Sequence, residues 1–216
     1  LFDSPLLLCR NSGLSFEQRL FKRIFDIVVS VIGLIILSPF MLIIAAAIKI
    51  DDGGSIIYKQ KRLTINGKEF FVYKFRSMIP NAEKNGVPQL ATGSDSRITR
   101  VGKFLRKCRL DELPQLFNII KGDMSVVGPR PERPELTEKY EREMPEFKFR
   151  LKVKAGLTGY AQVTGVYDTT PYDKLKMDLM YIERYSMVMD LRIILMTIKT
   201  MISPGEMNSE ADKEKY

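Results

Sequence analysis

Histidine is absent from all 216 residues. That removes the commonest general base, the Ser-His and Cys-His nucleophile pairs and every imidazole metal site. Any chemistry must therefore rest on carboxylates, lysine, arginine, tyrosine or a bound metal. Cysteine is scarce as well: Cys9 and Cys108 are the only two and form no C-x-x-C pair. Neither a thiolate zinc site nor a disulfide framework is indicated, and a reducing compartment fits. With oxygen the only plentiful donor, a metal is expected to be Mg2+ or Mn2+.

Positive charge is in surplus. Lys and Arg total 34 against 26 for Asp and Glu, a formal net charge of +8. Such a balance favours anionic partners, whether phosphates, anionic lipid or nucleic acid, without choosing among them. The length suits one core of ordinary size, hence one catalytic unit with attachments. Residues 1–18, opening on Leu1 rather than Met, read as a lead-in from a removed upstream region. Residues 203–216 are polar, contain Pro204-Gly205, and are expected to be disordered.

One long hydrophobic run stands out. Ile27 to Ile48 reads IVVSVIGLIILSPFMLIIAAAI, 22 residues without a charge, long enough to cross a hydrocarbon core of about 30 Å. It lies too deep in the chain and runs too long for a signal peptide. Ser38-Pro39 sits at its middle, where proline deletes a helical N–H and pushes aside the carbonyl four residues back, so a sharp bend is expected. Arg19, Lys22 and Arg23 precede the run; Lys49, Lys59, Lys61 and Arg62 follow it, slightly offset by Asp51 and Asp52. Under the positive-inside rule both ends then face the cytoplasm. A hairpin that dips in and returns satisfies this, and an ordinary spanning helix with a tolerated proline is the other reading the residues leave open.

Beyond the run, SIIYKQKRLTI and KEFFVYKFRSM are β-rich and joined by Asn66-Gly67, a strong hairpin signal that predicts a basic hairpin beside the membrane. Residues 80–97 are rich in turn formers and read as a surface loop over a site. Helices are expected at about Arg100 to Lys107, Glu112 to Lys121 with Gly122 as the stop, and Pro131 to Tyr140. A last helical region spans Pro171 to Ile202; its nearly all-apolar part after Ser186 either fills the core or lies in the membrane interface.

Three segments are candidates for chemistry. Asp111-Glu112 lies between a basic stretch (Arg100, Lys103, Arg106, Lys107, Arg109) and an expected helix start. An aspartate there serves as a helix cap, or, held ionised among phosphate-gathering cations, as a carboxylate nucleophile. In Gly128-Pro129-Arg130-Pro131, prolines on either side of one arginine pre-set its backbone, which suits a bidentate grip on phosphate but also describes a rigid turn with a solvated arginine. KAGLTGYAQVTG matches neither G-x-G-x-x-G nor a Walker loop, so ordinary turns compete with a phosphate cradle.

Taken together, KRIFDIVVSVIGLIILSPF, YKFRSM, LDELPQLFNIIKGDMSVVGPRP, GLTGYAQVTG and DLMYIERYS with MDLRIILMTIKT resemble the bacterial sugar transferases, also called monotopic phosphoglycosyl transferases, over about Phe21 to Ile202. The resemblance implies an α/β fold of the α+β type. Residues 19–50 would form a re-entrant membrane helix broken at Ser38-Pro39. Residues 51–202 would form a small mixed catalytic domain with interfacial amphipathic helices, on the cytosolic face of the bacterial inner membrane. It also implies Mg2+ dependence and a two-step reaction: Asp111 attacks the sugar-bearing phosphorus of a UDP-sugar, UMP leaves, and polyprenyl phosphate, usually undecaprenyl phosphate, takes the phosphosugar from the aspartate, which begins assembly of a surface polysaccharide.

By motif, Asp111 is the expected nucleophile and Glu112 its partner, with both as the metal's expected ligands, while Lys74, Arg106 and Arg130 are expected to bind phosphate. Anionic membrane lipids are expected partners, nucleic acid is not, and homo-oligomerisation is left open. Where many family members carry arginine after GYAQVTG, this chain has Val166-Tyr167, so one contact to the nucleotide or sugar is missing or comes from elsewhere. Two rival classes remain: a membrane-tethered polyanion-binding module without turnover, and a metal-dependent phosphatase or nucleotide transferase, whose usual Asp/His clusters are not visible.

Overall fold

The computed structural model describes residues 13–79, 82, 95–165 and 169–202. The lead-in over 1–12, most of the 80–97 loop, Val166-Tyr167 and the 203–216 tail lie outside the described residues.

Helix α1 runs from Phe16 to Asp52. It opens on a capping box in which Ser15 and Gln18 exchange side-chain-to-backbone hydrogen bonds of 2.9 and 3.2 Å. At about 1.5 Å per residue it is about 55 Å long, and it is long and apolar enough to cross a membrane. One face packs on the rest of the chain throughout: Lys22, Asp26 and Ser30 are buried near its start and Ile44 and Ile48 near its end, with Leu34, Leu37 and Met41 partly covered between them. The other face is apolar and open, with Ile35 69% and Leu42 72% exposed. Helical structure continues across Ser38-Pro39, where the sequence places the break. Proline offers no N–H to the carbonyl of Ile35, and Ser38 Oγ donates to that carbonyl instead, at 3.0 Å. The orphan acceptor is thereby satisfied locally.

Strands β1 (Ile57–Leu63) and β2 (Glu69–Phe75) form the expected antiparallel hairpin, in register from Ile57 opposite Phe75 to Leu63 opposite Glu69. Its turn places Asn66 and Gly67 at φ 57° and 72°, the left-handed pair that hairpin turns of this hand need. Helix α2 is Arg100–Lys107, as expected. The next helix differs from expectation. Leu110–Glu112 forms a separate 3-10 turn, and α3 begins only at Gln115, after Pro114, ending at Lys121 with Gly122 left-handed.

Strand β3 (Met124–Val127) then pairs in parallel with β4 (Ala155–Thr158). Helix α4 (Pro134–Glu143) and a 3-10 segment, Pro145–Lys152, form the crossover between them. Helix α4 starts later than expected because the residues before Arg133 are drawn out and bonded to neighbouring elements. A short α5 (Tyr160–Thr164) follows β4. The last helical region is two helices, α6 (Pro171–Glu183) and α7 (Met187–Ile202).

The main core gathers Val72, Ile119, Met124, Val127, Phe147 and Tyr181; a second, smaller one joins Ile44 and Ile48 of α1 to Phe75 and Leu105. The apolar stretch after Ser186 fills the core with one face of α7 only, and leaves the opposite apolar face uncovered. Asp190 and Ile193 are buried, whereas Val188, Leu191, Leu195 and Ile198 stay exposed. The fold is thus a long apolar helix laid along a small mixed α/β unit.

Candidate active site

The turn carrying the two carboxylates is shaped by Arg109, which holds a left-handed backbone at φ 54° and ψ 19°. A residue with a Cβ adopts this region at some energetic cost and only where its surroundings impose it. The reversal starts the 3-10 turn at Leu110, with Glu112 N–H donating to the Arg109 carbonyl at 3.2 Å. Asp111 is not a helix cap: neither this turn nor α3 receives a side-chain capping bond. Its carboxylate makes no side-chain hydrogen bond or ion pair among the described residues.

Glu112 is wired differently. Its Oε1 accepts from Lys74 Nζ at 2.6 Å and from Arg130 Nη2 at 3.2 Å. Burial pushes Glu112 up, but the charges of Arg130 and Lys74 and their hydrogen bonds outweigh it and hold the carboxyl down at about 2. Burial lowers Lys74, against the pull of Glu112; Glu112 in turn raises Arg130. Asp111 is raised above the ordinary 3.8 by burial, opposed by Lys74 and reinforced by its anionic neighbour Glu112. The proton affinities of the adjacent carboxyls are thereby driven apart, Glu112 lowered by its two cations and Asp111 raised by burial.

These groups line one cleft of about 370 Å³. The five residues expected by motif to carry the chemistry meet there, Lys74 from β2, Arg106 from α2, Asp111 and Glu112 from the turn and Arg130 from the loop after β3; Arg109, Ala161, Gln162 and Lys174 complete the wall, whereas Arg100, Lys103 and Lys107 of the basic stretch do not line it. Gln162 and Lys174 carried no sequence signal beyond the weak glycine-rich segment, because only the docking of α5 and α6 brings them to the cleft.

The loop bearing Arg130 is pinned along its length. The Pro129 carbonyl accepts from Gly156 N–H at 2.9 Å. The Arg130 carbonyl accepts from Arg150 Nη2 at 2.9 Å and that of Pro131 from Arg62 Nη1 at 3.0 Å. A Cβ on Gly156 would sit 2.1 Å from the backbone nitrogen of Gly128, so the glycines of the two motifs are needed for close approach of β3 and β4. Arg150 is buried and paired with Asp178 at 2.7 Å.

On the other side, the Asn118 side chain imitates a strand: its Nδ2 donates to the Phe71 carbonyl at 2.8 Å and its Oδ1 accepts from Tyr73 N–H at 2.9 Å. This clasp fixes Lys74 against the turn. Arg23 of α1 donates to the carbonyls of Ile119 and Ile120 at 2.6 and 2.7 Å, capping α3 from the long helix. Asp26 accepts from Val126 N–H at 2.9 Å, and Lys22 pairs with Asp190 at 2.6 Å. The apolar helix is therefore joined by buried polar contacts to the strand and helix that carry the site.

Among the described residues no cluster of three or more acidic, histidine or cysteine groups forms a protein-only metal cage. Asp111 and Glu112, with oxygens left over after the Lys74 and Arg130 contacts, fit the sparser requirement of Mg2+, which takes one or two carboxylates and completes its shell with substrate phosphates and water.

The chain matches the family described as bacterial sugar transferase over residues 17–204. It belongs to that family. An Aeromonas hydrophila UDP-N-acetylgalactosamine-undecaprenyl-phosphate N-acetylgalactosaminephosphotransferase is 42% identical over 185 residues, covering 84% of this chain and 44% of the relative. A Klebsiella pneumoniae UDP-glucose:undecaprenyl-phosphate glucose-1-phosphate transferase is 43% identical over 203 residues, 92% of this chain and 42% of the relative. The chain thus spans less than half the length of these two. An exopolysaccharide production protein PSS of Rhizobium leguminosarum bv. phaseoli is 40% identical over 194 residues, 86% of this chain and 96% of the relative. The family match takes in the long helix from Glu17 onward and every cleft residue, so the bacterial sugar transferase region includes the whole candidate site.

Proposed function

We propose that this bacterial sugar transferase moves a sugar 1-phosphate from a UDP-sugar to undecaprenyl phosphate or a similar polyprenyl phosphate, through a phosphosugar carried covalently on Asp111, with UMP released. The relatives' names supply the donor and acceptor classes. The observation that carries the mechanism is the wiring of the carboxylate pair: Glu112 is committed to Lys74 and Arg130, while Asp111 lines the same cation-rich cleft with no side chain bonded to it among the described residues.

Phosphoryl transfer needs positioning and charge neutralisation more than proton transfer, so a site without histidine suffices. Lys74 and Arg130 hold the transferring phosphoryl group and Arg106 helps keep Asp111 anionic. Glu112 anchors the two cations. Mg2+, held by Glu112 and Asp111, would neutralise diphosphate charge.

The exposed faces of α1 and α7 support a seat in the bilayer, and we assign α1 to re-entry at Ser38-Pro39 with the cleft on the cytosolic side of the inner membrane. The test is UMP release from UDP-sugars with Mg2+ and undecaprenyl phosphate, for the wild type and Asp111→Asn. Release by the wild type alone is expected. Equal release by both would remove the mechanism, and salt-sensitive lipid binding with no release by either would leave a binding module.

A further inference from the structure

The cleft holds more positive charge than one phosphoryl group and one carboxylate pair require. Lys74, Arg106, Arg109, Arg130 and Lys174 line it against Asp111 and Glu112. Lys74 and Arg130 are tied to Glu112, and Arg106 is among the charges that govern Asp111. Arg109 and Lys174 remain. Both are exposed, neither forms an ion pair among the described residues, and they stand on separate elements, the residue before the 3-10 turn and helix α6. The left-handed backbone of Arg109 belongs to the same turn that presents Asp111.

The geometry points to Arg109 and Lys174 as a phosphate-monoester subsite used twice per turnover, first by the departing nucleoside monophosphate and then by the arriving lipid phosphate. The inference rests on the double displacement proposed above. In the first step an Asp111 carboxylate oxygen bonds to the sugar-bearing phosphorus while the bond from that phosphorus to the bridging oxygen breaks, its electron pair leaving on the UMP phosphate. In the second, an oxygen of the lipid phosphate bonds to the same phosphorus, and the bond to Asp111 breaks to restore the carboxylate. Neither step requires an oxidant, a reductant or a net proton. In both, attacking and leaving oxygens lie roughly in line. The group opposite Asp111 is UMP when the aspartate attacks and the lipid phosphate when the aspartate leaves, so one place serves two phosphate monoesters.

The experiment uses the full chain in detergent, with UMP and undecaprenyl phosphate as probes, for wild type, Arg109→Gln, Lys174→Gln and the exposed control Lys139→Gln on α4. UMP is expected to compete with the lipid phosphate. In Arg109→Gln and Lys174→Gln the UMP inhibition constant and the lipid KM should rise together, by about tenfold or more for a lost charge-assisted contact. The control should match the wild type, and Arg109→Lys and Lys174→Arg should recover part of the loss. A weakened UMP inhibition with an unchanged lipid KM would mean separate subsites and overturn the inference, as would two unchanged constants. The parent reading is tested separately by labelled donor on wild type without lipid: absence of protein-bound label there removes the double displacement itself, whereas label with unaltered variants removes only this residue assignment.

Discussion

Asp111 and Glu112 are neighbours in the chain with opposite proton affinities, and the difference lies in their partners. Glu112 has a folded value of about 2 against an ordinary 4.5. Its contribution to stability is therefore fully present above about pH 4.5 and is lost as pH falls toward 2. Glu112→Gln should flatten that part of an acid-unfolding curve, read by fluorescence in detergent. Asp111 is raised instead. Because the proposed reaction requires its ionised form, kcat/KM should rise with pH along an acid limb shifted above the ordinary aspartate value. Neutralising a charge beside it moves that limb: Lys74→Gln removes the largest opposing charge, so the limb should shift to higher pH while the rate falls. A limb that stayed put would show that another group titrates.

At the scale of elements, the site depends on contacts that hold chain segments together rather than on substrate-binding groups alone. Arg150 supports the Arg130 carbonyl and is itself paired with Asp178, both nearly inaccessible. Arg150→Leu leaves a buried carboxylate unpaired and should cost about 3–5 kcal/mol of stability by chemical denaturation. Asn118→Ala unclasps β2 from α3 and leaves the Tyr73 N–H and the Phe71 carbonyl without their partner, at about 1–3 kcal/mol for each that stays shielded from water.

These contacts also mark the limit of what the sequence discloses. The hairpin was legible because Asn66-Gly67 encodes its own turn, and α2 because its helical patterning over Arg100–Lys107 is local. The β3–β4 pair was not, since parallel strands separated by a crossover carry no local turn signal, and KAGLTGYAQVTG reads as ordinary turns or a phosphate cradle until Gly128 and Gly156 are seen face to face. Glu112 was expected in the helix and stands before it, because Leu110–Glu112 closes its own turn ahead of Pro114. Of the cleft, motif residues were visible as types and spacings, whereas Gln162, Lys174 and the supports Arg62, Arg150 and Asn118 depend on tertiary docking that no spacing encodes.

For the whole molecule, the long helix and the cleft form one unit. Arg23 caps α3, Asp26 bonds to β3 and Lys22 pairs with Asp190 of α7, so in the proposed membrane seat the bilayer sets where the cleft stands. Single cysteines at Arg19 and Ser55, in a chain with Cys9 and Cys108 replaced, should react with an impermeant reagent from the same side of sealed vesicles. Reaction from opposite sides would establish a span.

The measurement that bears most directly on the central claim is the mass of the protein after incubation with a UDP-sugar and Mg2+ in the absence of lipid acceptor. The wild type should gain the mass of one sugar phosphate, located to the peptide containing Asp111 and discharged on adding undecaprenyl phosphate. Asp111→Asn should gain nothing. An active wild type that never carries the adduct, or an asparagine variant that turns over at the wild-type rate, would contradict the account.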